Sequence, residues 1–88
     1  MKHKEYIQKE ISNKGFNIGC FDEQLESISK YTLKKILNEY YHESTDIDIT
    51  INRKKYVLEI SVVDNEVDFS VISKEEYINV YGDERWNI

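Results

Sequence analysis

Few side chains in this sequence have the type and spacing that chemistry demands. A zinc site needs several His, Cys or carboxylate ligands converging, and His3, Cys20 and His42 stand apart with no second ligand at zinc-type spacing. Asp46 and Asp48 fall far short of the run of oxygen ligands that makes a calcium loop. Cys20 has no neighbouring base to activate it and reads as a small buried hydrophobe. Gly15, Gly19 and Gly82 are scattered, so no glycine-rich loop is present to cradle a phosphate. The expectation is a protein that is not an enzyme and holds neither metal nor cofactor. Lys30, Tyr31, Lys34 and Lys35 form a small basic and aromatic patch, but it would neutralise only a few phosphates. It is read as a solvated helix face, and no direct contact with nucleic acid is expected.

The carboxylates carry more information. Residues 1–44 hold seven Lys/Arg and seven Asp/Glu, whereas residues 45–88 hold five and ten, so the net charge of −5 belongs to the second half. In the stretch DIDITINRKKYVLEISVVDNEVDFSVI, residues 46–72, Asp64 falls at a turn, and the other acidic residues are Asp46, Asp48, Glu59, Glu66 and Asp68. In a period-2 reading they share one side of a sheet. A concentrated acidic face steers and complements a basic protein partner, one that handles nucleic acid for instance. Trp86, Tyr31, Tyr41 and Tyr81 are the aromatic residues such an interface would use as anchors, since Trp, Tyr and Arg dominate interface energetics.

The elements that must position those carboxylates can be read from the same stretch. It predicts a three-stranded antiparallel meander, with Ile47, Ile49, Ile51, Tyr56, Leu58, Ile60, Val62, Val67, Phe69 and Val71 on one face. Asp64 and Asn65 make a two-residue turn that pairs Val62 with Val67, Ile60 with Phe69 and Leu58 with Val71. In the first hairpin, a loop at Arg53 and Lys54 would pair Ile51 with Tyr56, Ile49 with Leu58 and Ile47 with Ile60. A loop at Asn52 and Arg53 would oppose Ile51 to Lys54 and is expected to send apolar residues to the wrong side. The preferred register puts Asp48 directly opposite Glu59, with no Lys or Arg on that face to relieve the pair.

Three helices are expected around this sheet. Residues 2–14 read as the first, with Ile7 and Ile11 one turn apart, Gly15 as its left-handed ending and Phe16 touching Ile11. FNIGC, residues 16–20, reads as a short extended piece or a loop. Asp22 caps the second helix, in which Phe21, Leu25, Ile28, Thr32, Leu33, Ile36, Leu37 and Tyr40 form one broad apolar arc and Glu26 pairs with Lys30. Ser73 to Glu76 is a capping box, with Ile72 and Tyr77 as its hydrophobic staple, opening a third helix that Gly82 ends. The expected fold is α+β, in the order α-α-β-β-β-α, with the helices on one face of the sheet.

Length and composition bound the rest. At 88 residues the chain is expected to be one domain, and one Cys excludes an internal disulfide. No apolar run approaches the length that spans a bilayer, and the N-terminus lacks a signal-peptide core, so a cytoplasmic setting with no membrane contact is the expectation. The absence of Ala and the abundance of Lys, Ile, Asn and Tyr point to an AT-rich coding sequence, as in low-GC bacteria and their phages. In size and acidity the chain resembles immunity proteins that neutralise basic nuclease toxins and phage proteins that block nucleic-acid-handling defence enzymes. The resemblance is one of scale and charge, without a shared motif. An inhibitory protein-binding module is therefore expected, and the alternative is a structural or regulatory domain that homodimerises through its sheet edge or open face.

Overall fold

The computed structural model describes residues 3–40 and 43–82. The first helix, α1 (His3–Asn13), buries Ile7 and Ile11. It ends as its glycine signals: Gly15 takes a φ of +88°, and the Phe16 N–H donates to the Ile11 carbonyl at 3.0 Å. Its N-terminus is closed by a side chain from elsewhere in the chain. The Glu26 carboxylate accepts from the backbone N–H groups of His3 and Lys4, at 2.8 and 3.0 Å. This satisfies two donors that a helix start leaves open and places a negative charge at its positive end. Glu26 thus caps α1, where a pairing with Lys30 was expected.

The sheet has four strands: β1 (Asn17–Phe21), β2 (Thr45–Ile51), β3 (Lys54–Val63) and β4 (Glu66–Ser73), in the spatial order β1-β4-β3-β2. The expected antiparallel meander of β2, β3 and β4 is present, but NIGCF, residues 17–21, adds a fourth strand that pairs in parallel with β4. The alternation of Phe16, Ile18 and Cys20 allows an extended piece here, and a strand forms, but the alternation does not continue through it. Ile18 pairs with Val67 and Phe21 with Phe69, so a bulge sets Gly19 and Cys20 together against Asp68. The bulge turns both Ile18 and Phe21 towards the core and leaves Cys20 exposed, contrary to the buried position expected of it.

The apolar arc expected as one helix is broken in two. Asp22 does act as a cap, accepting from the Gln24 N–H, but the element it opens is a short 3-10 segment, Glu23–Ser27. Ile28 is extended, and Ser29 then opens α2 (Lys30–Tyr40), its Oγ accepting from the Thr32 N–H at 3.1 Å. The break leaves Leu25, Ile28, Leu33, Ile36 and Leu37 all buried, in one core with Ile7, Ile11, Ile49, Ile51, Leu58, Ile60, Val67, Phe69 and Val71. Among the described residues, no helix is long and apolar enough to cross a membrane.

The second hairpin has the predicted register, with Asp64 and Asn65 at φ values of +49° and +66°. The first does not. Asn52 and Arg53 form its turn, at +50° and +69°, and β2 pairs Ile51 with Lys54, Ile49 with Tyr56, Ile47 with Leu58 and Thr45 with Ile60. Positive φ at both central residues defines the primed turn that matches the twist of the strands, and Asn tolerates it where most residues do not. Moving the loop by one residue shifts the pairing by two, which preserves facing. The apolar residues therefore keep their side, and only Ile51 meets Lys54.

The third helix, α3 (Lys74–Tyr81), departs furthest from expectation. Its start is as predicted, with Ser73 Oγ accepting from the Glu76 N–H at 3.1 Å, and Gly82 ends it at φ +81°. However, it lies on the face opposite α1 and α2. Val57 points to that outer face and is fully buried, as is Tyr77 of α3, and α3 bonds to Asp46, Asp48 and Glu59 on the same side. The helices therefore cover both faces of the sheet. A helix with one fully buried ring and several polar groups suits a face whose apolar floor is little more than Val57.

Candidate acidic interface

Alternation along β2, β3 and β4 brings Asp46, Asp48, Glu59, Glu66 and Asp68 to one side, as the sequence predicts, but the cross-strand partners change. Asp46 now stands opposite Glu59, and Asp48 opposite Val57. Like charges directly opposite each other destabilise an antiparallel pair by up to about 1 kcal/mol. α3 supplies a donor to each. Tyr77 OH donates to Asp46 Oδ2 at 2.5 Å, and Tyr81 OH to Glu59 Oε2 at 3.2 Å. Lys74 Nζ lies 3.1 Å from Asp48 Oδ1. The two tyrosine rings pack together, with centroids 4.5 Å apart and planes tilted by 42°.

Lys74 and Tyr77 are residues that the acidic-strand reading overlooked, and they join Tyr81, one of the expected aromatic anchors, on that face. Their spacing carries a signal, because positions 74, 77 and 81 fall on one side of an α-helix and present an ammonium and two phenols together. Lys55, opposite Thr50 on the outer side, is a second cation missing from the expected face. With Arg53, Lys54 and Lys74 it collects at the turn between β2 and β3 and the adjacent start of α3. There Lys54, Lys55, Tyr56, Ser73, Lys74 and Glu75 line an open cleft.

Two carboxylates lie beyond these contacts. Asp68 Oδ1 accepts from the Cys20 N–H at 2.7 Å, which fixes the carboxylate over the β1 bulge. Glu66 is exposed, and neither it nor Asp68 joins an ion pair among the described residues. Both crowd Gly19: a Cβ there would stand 2.7 Å from Glu66 Oε1 and closer still to the Asp68 carboxylate. Among the described residues, the open part of the outer face is thus the β3–β4–β1 side, with Ser61, Val63 and Ser70 exposed beside Glu66.

Of the expected aromatic anchors, Tyr81 joins the acidic face and Tyr31 does not. Tyr31 is 77% exposed, but α2 packs on the opposite side of the sheet, so the structure separates it from the carboxylates. Tyr41 and Trp86 lie outside the described residues, as does His42. The basic patch on α2 is turned partly towards α1, where Lys30 and Lys34 Nζ sit 5.1 and 5.6 Å from the centre of the Tyr6 ring. Desolvation, followed by the nearby Glu10 carboxylate, raises the Tyr6 hydroxyl above the ordinary tyrosine range. Among the described residues, no three His, Cys, Asp or Glu side chains are grouped as a metal ion would require.

No protein-family model, curated protein or solved structure matches the chain.

Proposed function

We propose that this protein is a binding module for a basic protein partner, engaged through the acidic outer face of its sheet. The observation that carries the reading is that Glu66 and Asp68 stand on the uncovered part of that face without a cation, among the described residues, to neutralise them. Asp48 extends the surface, since its side chain keeps 54% exposure despite Lys74. Asp68 is held by a backbone N–H and loses little freedom on binding, which favours a specific contact over diffuse attraction. A partner whose own ligand is a polyanion would recognise such a surface. The finer reading is therefore an inhibitor that occupies the nucleic-acid site of a basic enzyme.

The test uses a lysine-rich peptide and, in parallel, basic proteins captured from a bacterial lysate. Binding should weaken steeply as salt rises, because charges separated by more than about 8 Å at physiological ionic strength are screened. Replacing Glu66 and Asp48 by Lys should lower affinity by about tenfold through lost attraction and added repulsion. Unchanged binding by that double variant removes the acidic-face reading.

A further inference from the structure

The two edges of the sheet are built differently. β1 is short, carries a glycine and a bulge, and is tied down by polar side chains: Asp68 takes the Cys20 N–H, and Asp22 Oδ2 takes the Val71 N–H at 3.0 Å. These are the devices by which native sheets discourage edge pairing. β2 has neither the glycine nor the bulge, and although Ser44 Oγ takes the Val62 N–H at its start and Asp46 and Asp48 charge its outer face, no described side chain bonds to its own edge N–H groups. It runs for seven residues in unbroken register with β3, has no Pro, Gly or Lys, and no other described strand pairs with its outer side.

The turn geometry identifies which backbone groups that edge presents. A two-residue primed turn closes on a hydrogen-bonded pair, here Ile51 with Lys54. Hydrogen-bonded and non-hydrogen-bonded pairs then alternate, so Ile49 and Ile47 bond to β3, whereas Asp48 and Thr50 point their N–H and C=O groups outward.

We infer that β2 pairs with β2 of a second copy of this chain, antiparallel about a twofold axis at Ile49. In that register Asp48 and Thr50 of one copy exchange backbone hydrogen bonds with Thr50 and Asp48 of the other. Ile49 meets its own counterpart as a non-hydrogen-bonded pair, the kind with the closest side chains, and Ile47 meets Ile51. The apolar row 47, 49, 51 is palindromic about Ile49, so one surface serves both copies, as an isologous contact requires. Ile47, half-buried in the single chain, becomes covered. The neighbouring register, centred on Asp48, would set that carboxylate against itself. In the Ile49 register Asp48 faces a threonine that has Lys55 beside it. The product is a continuous eight-stranded sheet with both acidic faces on one side.

The experiment is sedimentation equilibrium of the full chain up to about 1 mM, with amide hydrogen exchange at low and high concentration. The expected result is a monomer–dimer equilibrium in which the amides of Asp48 and Thr50 slow with concentration, while those of Ile47 and Ile49, already bonded to β3, do not. Thr50→Pro removes an N–H that bonds nothing in β3 and should weaken the dimer by about tenfold or more, through two lost hydrogen bonds. Raising salt from about 0.05 to about 0.5 M should tighten the dimer, because it screens repulsion between two chains of net charge −5. A chain that stays monomeric at 1 mM overturns the inference. So does a dimer without slowed exchange at Asp48 and Thr50, a reading that holds even where the proline variant does not fold. Slowing of those two amides by an added basic peptide, with the chain alone monomeric, assigns the edge to a partner strand and likewise refutes self-pairing.

Discussion

If α3 is held on the acidic face by its tyrosines, removing one oxygen atom should have a measurable effect. Tyr77→Phe keeps the buried ring and deletes only the hydroxyl that donates to Asp46 at 2.5 Å. A hydrogen bond to a charged group contributes about 1.5 to 3 kcal/mol, and the partial exposure of Asp46 favours the lower end. A loss of about 1.5 kcal/mol is therefore expected. For scale, Tyr77→Ala would also remove a fully buried ring and should cost about 3 to 5 kcal/mol. Asp46→Ala breaks the same bond but also relieves the carboxylate opposite Glu59, so it should cost less than Tyr77→Phe. Urea denaturation of the two single variants and the double variant isolates the coupling, expected at about 1 kcal/mol. With an m value of about 1 to 1.5 kcal/mol/M, the Tyr77→Phe loss moves the midpoint by about 1 M, and m should not change. Costs that simply add, with a coupling below about 0.3 kcal/mol, would refute the idea that this contact holds α3 in place.

Two further changes probe the elements that position the face. Arg53→Gly, at a turn position with φ +69°, should stabilise the chain by about 1 kcal/mol, because glycine adopts this conformation without the left-handed penalty. A fall in thermal midpoint would contradict the Asn52–Arg53 turn and, with it, the β2 register. Gly19→Ala places a Cβ against the Glu66 and Asp68 carboxylates and should release the Asp68 bond to the Cys20 N–H, at a cost of about 1 kcal/mol. Combining it with Asp68→Ala should cost less than the sum of the two changes, measured by chemical denaturation. Full additivity would contradict that crowding.

Local signals were legible wherever a few adjacent residues decide the conformation. Gly15 with Phe16 ends α1, Ser73 with Glu76 opens α3, and Asp64 with Asn65 turns the second hairpin, each within a span of about four residues. The period-2 alternation of residues 45–73 was equally clear, because burial of one sheet face leaves a pattern independent of everything else in the chain. It placed the five carboxylates on one side, and this survived even a mistaken first register, since a shift of two residues preserves facing.

Choices between elements far apart in sequence left no such trace. β1 joins the sheet through β4, about fifty residues away, and the short alternation at residues 16–20 that allows an extended piece says nothing of that partner. Glu26 and Lys30 would be one turn apart only on an unbroken helix; with Ile28 extended between them, Glu26 bonds the start of α1, whose open N–H groups offer two charge-assisted bonds. α3 could have joined the other helices, and its side follows from what the outer face lacked: donors for opposed carboxylates and a cover for Val57. Residue pattern thus settled which side chains share a face. Only tertiary packing decided which of those carboxylates α3 would answer and which it would leave open, because desolvation and hydrogen bonding act between surfaces that the chain brings together only on folding.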